Sequence, residues 1–138
     1  MSKYSKKTAS DGGDGLSGDF EYKEKMTGEF ADLLPMLRAR LGITQEELAE
    51  RIGATRQIII YIENKKRPLV WSVFLSLLFL FILDPKTRPF LEASGIITPE
   101  LSKHLFGDET LLAETISKLE PEKPILEKAK EMMSTMMN

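Results

Sequence analysis

Residues 44–64, TQEELAERIGATRQIIIYIEN, constrain the fold most, because they hold the start and stop signals of two short helices. Thr44 and Thr55 each precede a helical pattern and are predicted to cap it through the side-chain hydroxyl. Gly53 follows the first pattern, where helices commonly end in a left-handed residue. The apolar residues of each helix recur three and four positions apart, which predicts one buried face per helix. Two helices with so short a link must cross steeply, and the small Ala49 allows their close approach.

This stretch resembles the Cro/C1-type (XRE-like) helix-turn-helix family over roughly residues 34–83. The resemblance is carried by Thr44, Gln45, Leu48, Ala49, Gly53, Thr55, Ile59, Ile62, Glu63 and Asn64. It implies an all-α, lambda-repressor-like bundle whose second motif helix, residues 56–63, enters the major groove of DNA. One departure is Lys65, where the family usually has glycine. A left-handed residue other than glycine costs on the order of 1 kcal/mol.

Three residues of the second helix are predicted to contact bases, namely Arg56, Gln57 and Tyr61. Arginine can bond guanine with two hydrogen bonds, and glutamine can do the same with adenine. Two alternatives stay open, a phosphate contact by Arg56 and half-buried packing of Tyr61. Ile58 and Ile60 stand where the family usually has polar residues; they would touch thymine methyls, Trp71 or a partner chain, and the sequence does not separate these possibilities.

The residues around the second helix are predicted to bind the DNA backbone without selecting a sequence. By resemblance, the amide and backbone N–H of Gln45 would hydrogen-bond a phosphate, as helix N-termini do. The other predicted backbone contacts are Thr55, Asn64, Lys65, Lys66 and Arg67. The alternative for the basic residues is an ordinary solvated loop.

The charge distribution fits a nucleic-acid partner better than the net charge of −2 does. Residues 35–68 contain seven cations and four anions, a net charge of +3, whereas residues 69–138 contain seven cations and ten anions. A basic segment beside an acidic remainder is expected when only one face meets phosphates. The chain has no cysteine and one histidine, His104, which predicts neither a metal site nor a cofactor nor catalytic residues, and fits a cytoplasmic protein.

The chain divides into three parts. Residues 1–25 are predicted to be a disordered tail, because they are rich in Gly, Ser, Asp and Lys. Residues 26–83 form the helix-turn-helix domain, whose first helix either starts near Leu34 or runs through Pro35 with a kink. Residues 84–138 form a helical extension for dimerisation or for a partner or ligand that the sequence does not identify. The apolar run 70–83 is predicted to be a buried helix, because a membrane span needs roughly 20 apolar residues.

These patterns favour a sequence-specific transcriptional regulator that binds double-stranded DNA. A homodimer on a near-palindromic operator is expected, since one recognition helix contacts only a few base pairs, and repression would follow from occupying the operator. The main alternative is a protein-interaction module on the same scaffold, including an antitoxin that represses its own operon. A membrane-associated regulator and an enzyme are weaker alternatives, the latter because the chain lacks a glycine-rich phosphate loop and metal-ligand spacing.

Overall fold

A computed structural model describes residues 12–119 and 123–137, and within these ranges the chain forms helices and no strand. The prediction of an all-α protein is confirmed. The helices are α1 (Gly12–Leu41), α2 (Gln45–Ile52), α3 (Arg56–Glu63), α4 (Trp71–Leu83), α5 (Arg88–Ser94), α6 (Pro99–Phe106), α7 (Leu111–Leu119) and α8 (Lys123–Met137).

The second half of α1, together with α2, α3 and α4, encloses one apolar core. Each helix contributes the residues that recur at helical spacing, so the core follows directly from the sequence pattern. The Phe30 ring packs edge-on against the Phe74 ring, with centroids 5.2 Å apart. The largest side chains of this core that are almost fully buried are Phe30, Leu34, Leu37, Leu48, Ile59, Ile62, Phe74, Leu77 and Phe81.

The first helix is longer than the sequence predicted. It runs through Pro35 and begins at Gly12, so residues 12–25 are helical where the sequence predicted disorder, while residues 1–11 lie outside the described part of the chain. Distant partners explain this difference. The Tyr22 ring stacks on the His104 imidazole at 4.1 Å, and the Lys23 ammonium lies 5.1 Å from the Trp71 ring centroid. These contacts anchor a segment whose own composition gives no helix signal.

The apolar run forms α4, which packs on α1, α2 and α5. No helix in the described ranges is long and apolar enough to cross a membrane. The outer face of α4 is not covered within one chain: 68% of the Phe79 side chain and 46% of the Leu83 side chain remain exposed. The predicted buried helix is therefore confirmed on one side only, and its other side presents apolar residues to solvent.

The C-terminal helices form two pairs, in which α5 packs against α8 and α6 packs against α7. The start of α5 is four residues later than Asp84, where the sequence predicted it, and Pro89 lies in the first turn without interrupting the helix. Thr98 and Gly107 delimit α6 as predicted. The Arg88 side chain is buried, and its guanidinium donates to the carbonyls of Ile82, Leu83 and Leu119 at 2.8–3.1 Å.

Candidate nucleic-acid interface

Helices α2 and α3 have the predicted boundaries, because local caps fix both of them. The Thr44 hydroxyl accepts from the Glu47 N–H, and the Thr55 hydroxyl accepts from the Ile58 N–H. Gly53 adopts φ +75° between the helices, a conformation that glycine takes without strain. The Thr44 backbone N–H donates to Glu47 Oε1 at 2.8 Å; this bond, followed by the Thr44 hydroxyl, lowers the pKa of Glu47.

Two of the predicted base-contacting residues, Arg56 and Gln57, lie exposed in the first turn of α3. No carboxylate of the described residues lies within 4.0 Å of the Arg56 guanidinium. The cap residue Thr55 is exposed beside them. Arg56 lines an open cleft of about 490 Å³ together with Arg38, Thr44, Gln45 and Glu46. The N-terminal ends of α2 and α3 therefore face the same cleft.

The third predicted base contact, Tyr61, is half-buried, and its ring lies 5.5 Å from the Arg67 guanidinium carbon. It is one turn beyond Gln57 and shares its helix face. Ile58 is partly buried and packs against the core, as does Trp71. Ile60 is half-exposed. Packing thus accounts for Ile58, whereas Ile60 keeps surface that another molecule can contact.

Glu63 is a site residue to which the sequence assigned no role. Its carboxylate accepts two hydrogen bonds from Arg38, Nε to Oε2 at 2.9 Å and Nη2 to Oε1 at 3.2 Å. The same Oε1 accepts from Gln45 Nε2 at 2.9 Å, so one amide N–H of Gln45 is already occupied. Only 6% of the Glu63 side chain is exposed. Glu63 therefore joins α1, α2 and α3 and fixes the orientation of Gln45.

A signal for this role was present in the sequence. Glu63 is the last residue of α3, and the C-terminal end of a helix disfavours negative charge. A carboxylate in that position needs a cation or several donors nearby. Arg38 lies two helices earlier, on α1, and its proximity to Glu63 depends on tertiary packing that the local pattern does not specify.

The segment after α3 presents four polar side chains, Asn64, Lys65, Lys66 and Arg67, all of them exposed. Lys65 has φ +62°, the left-handed conformation that its position opposite the family's glycine predicted. Its ammonium pairs with the Asp32 carboxylate on α1. None of the described carboxylates pairs with Lys66. The four residues predicted to contact the DNA backbone therefore differ in their availability. Lys65 already pairs with Asp32, and Arg67 already contacts the Tyr61 ring.

Known proteins resemble parts of this chain. A family model described as helix-turn-helix matches residues 36–69. A propionyl-CoA carboxylase regulator of Cereibacter sphaeroides is 36% identical over 81 residues, which cover 56% of this chain and 18% of that protein. An uncharacterized HTH-type transcriptional regulator of Methanothermobacter thermautotrophicus is 69% identical over 27 residues, 20% of this chain and 39% of that protein. The matches thus span less than half the length of either relative. No solved structure matches the chain significantly.

Proposed function

We propose that the protein is a DNA-binding transcriptional regulator, because residues 36–69 match a helix-turn-helix family model. The observation that carries the proposal is the exposed first turn of α3, where Arg56 and Gln57 project from the fold without an intramolecular ion pair among the described residues. The N-terminal residues of a recognition helix are those that reach base edges in the major groove. Arg56 and Gln57 would select guanine and adenine, with Tyr61 adding a contact one turn later.

Backbone contacts would come from both sides of α3. Gln45, oriented by Glu63, keeps one amide N–H, its amide oxygen and its backbone N–H for a phosphate at the start of α2. Thr55, Asn64, Lys65, Lys66 and Arg67 would hold phosphates without selecting bases. Lys66 is the strongest of these candidates, because Lys65 must first release Asp32. Affinity would derive largely from counterion release and would fall steeply with salt.

A homodimer on a near-palindromic operator would supply the rest of the specificity. Two copies of α3 would lie about 34 Å apart on one face of the duplex, as dimeric helix-turn-helix proteins require. The outer face of α4, with Phe79 and Leu83, offers an apolar surface for a second copy, and the helices after residue 84 would extend this contact. Occupying the operator, without catalysis, would repress the adjacent promoter.

Selection of bound sequences from a random duplex pool tests the proposal. We expect the wild-type protein to enrich a near-palindromic sequence. Arg56→Ala and Gln57→Ala should each weaken binding to that sequence by roughly 1–3 kcal/mol, because each removes one base-contacting side chain. Arg51→Ala is the matched control, since Arg51 is an exposed arginine on α2 rather than on α3. Its effect should be small and equal for all sequences.

A salt series separates base contacts from backbone contacts. Lys66→Ala should weaken binding to selected and unrelated duplexes alike and reduce the salt slope by about one unit. Unchanged affinity of both Arg56→Ala and Gln57→Ala for the enriched sequence would remove these residues from the interface. Failure of the wild-type protein to bind any duplex in moderate salt would instead favour the protein-interaction module.

A further inference from the structure

A second cleft, on a different part of the molecule, combines three cations with an apolar floor. It has a volume of about 270 Å³ and lies where the end of α1, the turn between α4 and α5, and α8 come together. Its cations are Arg40, Lys86 and Lys128. Its apolar lining consists of Pro85, Pro89, Phe90, Ala129 and Met132. Among the residues that the structure describes, no acidic side chain lines it.

The three cations are not neutralised within the described part of the chain. None of them has a described carboxylate within 4.0 Å. The Asp84 carboxylate, which is close in sequence to Lys86, accepts from the Lys86 backbone N–H. Two of the cations, Lys86 and Lys128, lie in residues 69–138, whose net charge is −3, so their position together runs against the composition of that segment. Like charges brought together cost free energy unless an anion joins them.

One of the cations is held in place. The Arg40 guanidinium carbon lies 4.5 Å from the centroid of the Phe90 ring, which is within cation–π range. Phe90 is only 4% exposed, so the ring itself is fixed by packing. A guanidinium stacked on a ring keeps its N–H edges free to bond a carboxylate or phosphate with two hydrogen bonds.

The cleft is separate from the proposed DNA-binding face. Arg40 lies two residues after Arg38, whose guanidinium contacts Glu63 beside the start of α2. Two positions differ by about 200° around a helix of 3.6 residues per turn, so Arg40 projects from the other side of α1. The other two walls, α5 and α8, belong to the C-terminal extension. DNA held by α3 would not reach the floor of this cleft.

We propose that this cleft binds a small organic anion with an apolar body, a carboxylate or a phosphate ester. The cations would hold the anionic group, and Pro85 and Met132, which keep exposed surface, would contact the apolar part. The volume is near the lower limit of roughly 300 Å³ for ligand pockets, which suits a small ligand. The ligand would join α1 of the helix-turn-helix domain to α8 of the extension. The proposal does not depend on the protein binding DNA.

Calorimetric titration of the full chain at physiological ionic strength tests the proposal with three related probes. 2-Naphthoate and 2-naphthyl phosphate carry the two anionic groups on one apolar body, and 2-naphthamide is their neutral counterpart. We expect at least one anion to bind with a Kd below about 1 mM, and the amide to bind at least tenfold more weakly. Whichever anion binds more tightly identifies the head group, and either result supports the proposal.

Charge-neutralising variants locate the binding. Lys86→Gln and Lys128→Gln should each weaken binding of the anion about three- to tenfold, because each removes one charge-assisted contact. Lys130→Gln is the matched control, since Lys130 is exposed on the same helix as Lys128 but does not line the cleft. All three variants alter exposed side chains, so their unliganded thermal unfolding should match that of the wild type. The proposal is overturned by weak binding of both anions, by equal binding of the amide, or by an equal loss in Lys130→Gln.

Discussion

At the scale of single residues, Glu63 has the largest consequence for the proposed DNA-binding face. It accepts three hydrogen bonds, two from Arg38 and one from Gln45, and so links three helices through one carboxylate. The Arg38 guanidinium also donates to the carbonyl of Ile43 at 3.1 Å, in the turn before α2. The orientation of Gln45 therefore depends on an ion pair formed behind it.

Glu63→Gln should destabilise the fold by about 2 kcal/mol, because a largely buried ion pair loses one charge while the other remains. The estimate is below that for a fully buried pair, since 23% of the Arg38 side chain is exposed. Urea unfolding measures the loss, with Glu50→Gln as the control because Glu50 is exposed on α2. Equal stability of the two variants would show that the ion pair contributes nothing beyond a surface charge.

Lys65 tests the contribution of backbone conformation. Lys65→Gly should raise the free energy of unfolding by about 0.5 kcal/mol, because glycine relieves the left-handed strain but loses an exposed ion pair of smaller worth. Lys66→Gly, at the next position, should lower it, since Lys66 is not among the described residues with positive φ. Thermal unfolding of both variants decides this, and a shift of the same sign in both would contradict the account.

At the scale of elements, the sequence predicted those helices whose ends are set by neighbours along the chain. Thr44, Gly53 and Thr55 act within four residues of their own position, so α2 and α3 could be delimited from the pattern alone. The first half of α1 could not be predicted, because Trp71 and His104, which anchor it, are far away in sequence. Arg38, the partner of Glu63, could not be predicted for the same reason, because it is 25 residues away in sequence. The exposure of Arg56 and Gln57 was predictable, since both precede the apolar positions of α3.

Arg88 shows how elements of the C-terminal extension are joined. Its guanidinium donates to two carbonyls at the end of α4 and to one at the end of α7. The ends of helices carry negative partial charge, so three carbonyls take the place of a carboxylate around this buried cation.

Arg88→Met should lower the free energy of unfolding by roughly 3 kcal/mol, because three carbonyls lose a charged donor in a buried setting. Methionine keeps much of the side-chain volume, so the loss reports hydrogen bonding more than packing. Urea unfolding measures it, and Arg51→Met, at an exposed position on α2, is the control. A loss below 1 kcal/mol would mean that water reaches these carbonyls in the variant.

At the scale of the whole molecule, the outer face of α4 is the surface that bears on assembly. Ser72, Ser76, Phe79 and Leu83 lie along one exposed stripe that carries no charge. Exposed apolar side chains that recur along one helix are typical of an interface. A second copy could cover this stripe through a two-fold symmetric contact, in which the same surface of both copies meets. Such a contact would remove no charged group of the stripe from water.

Phe79→Glu should convert the proposed dimer into a monomer, because two carboxylates would meet across the symmetric contact. The fold itself should be unaffected, since 68% of Phe79 is exposed in the single chain. Sedimentation equilibrium of the wild type and the variant measures the change. Phe106→Glu is the matched control, at a phenylalanine on α6 that is 52% exposed. A wild-type protein that stays monomeric at micromolar concentration, or a dimer that survives Phe79→Glu, would exclude this interface.

The length of α1 has a consequence for synthesis of the chain. Tyr22 leaves the ribosome about 80 residues before its stacking partner His104, a delay of roughly 4–16 s at a translation rate of about 5–20 residues per second. During that interval the early part of the helix has neither His104 nor, at first, Trp71 to hold it. Nascent chains should therefore remain open to protease near Phe20 until His104 has left the ribosome.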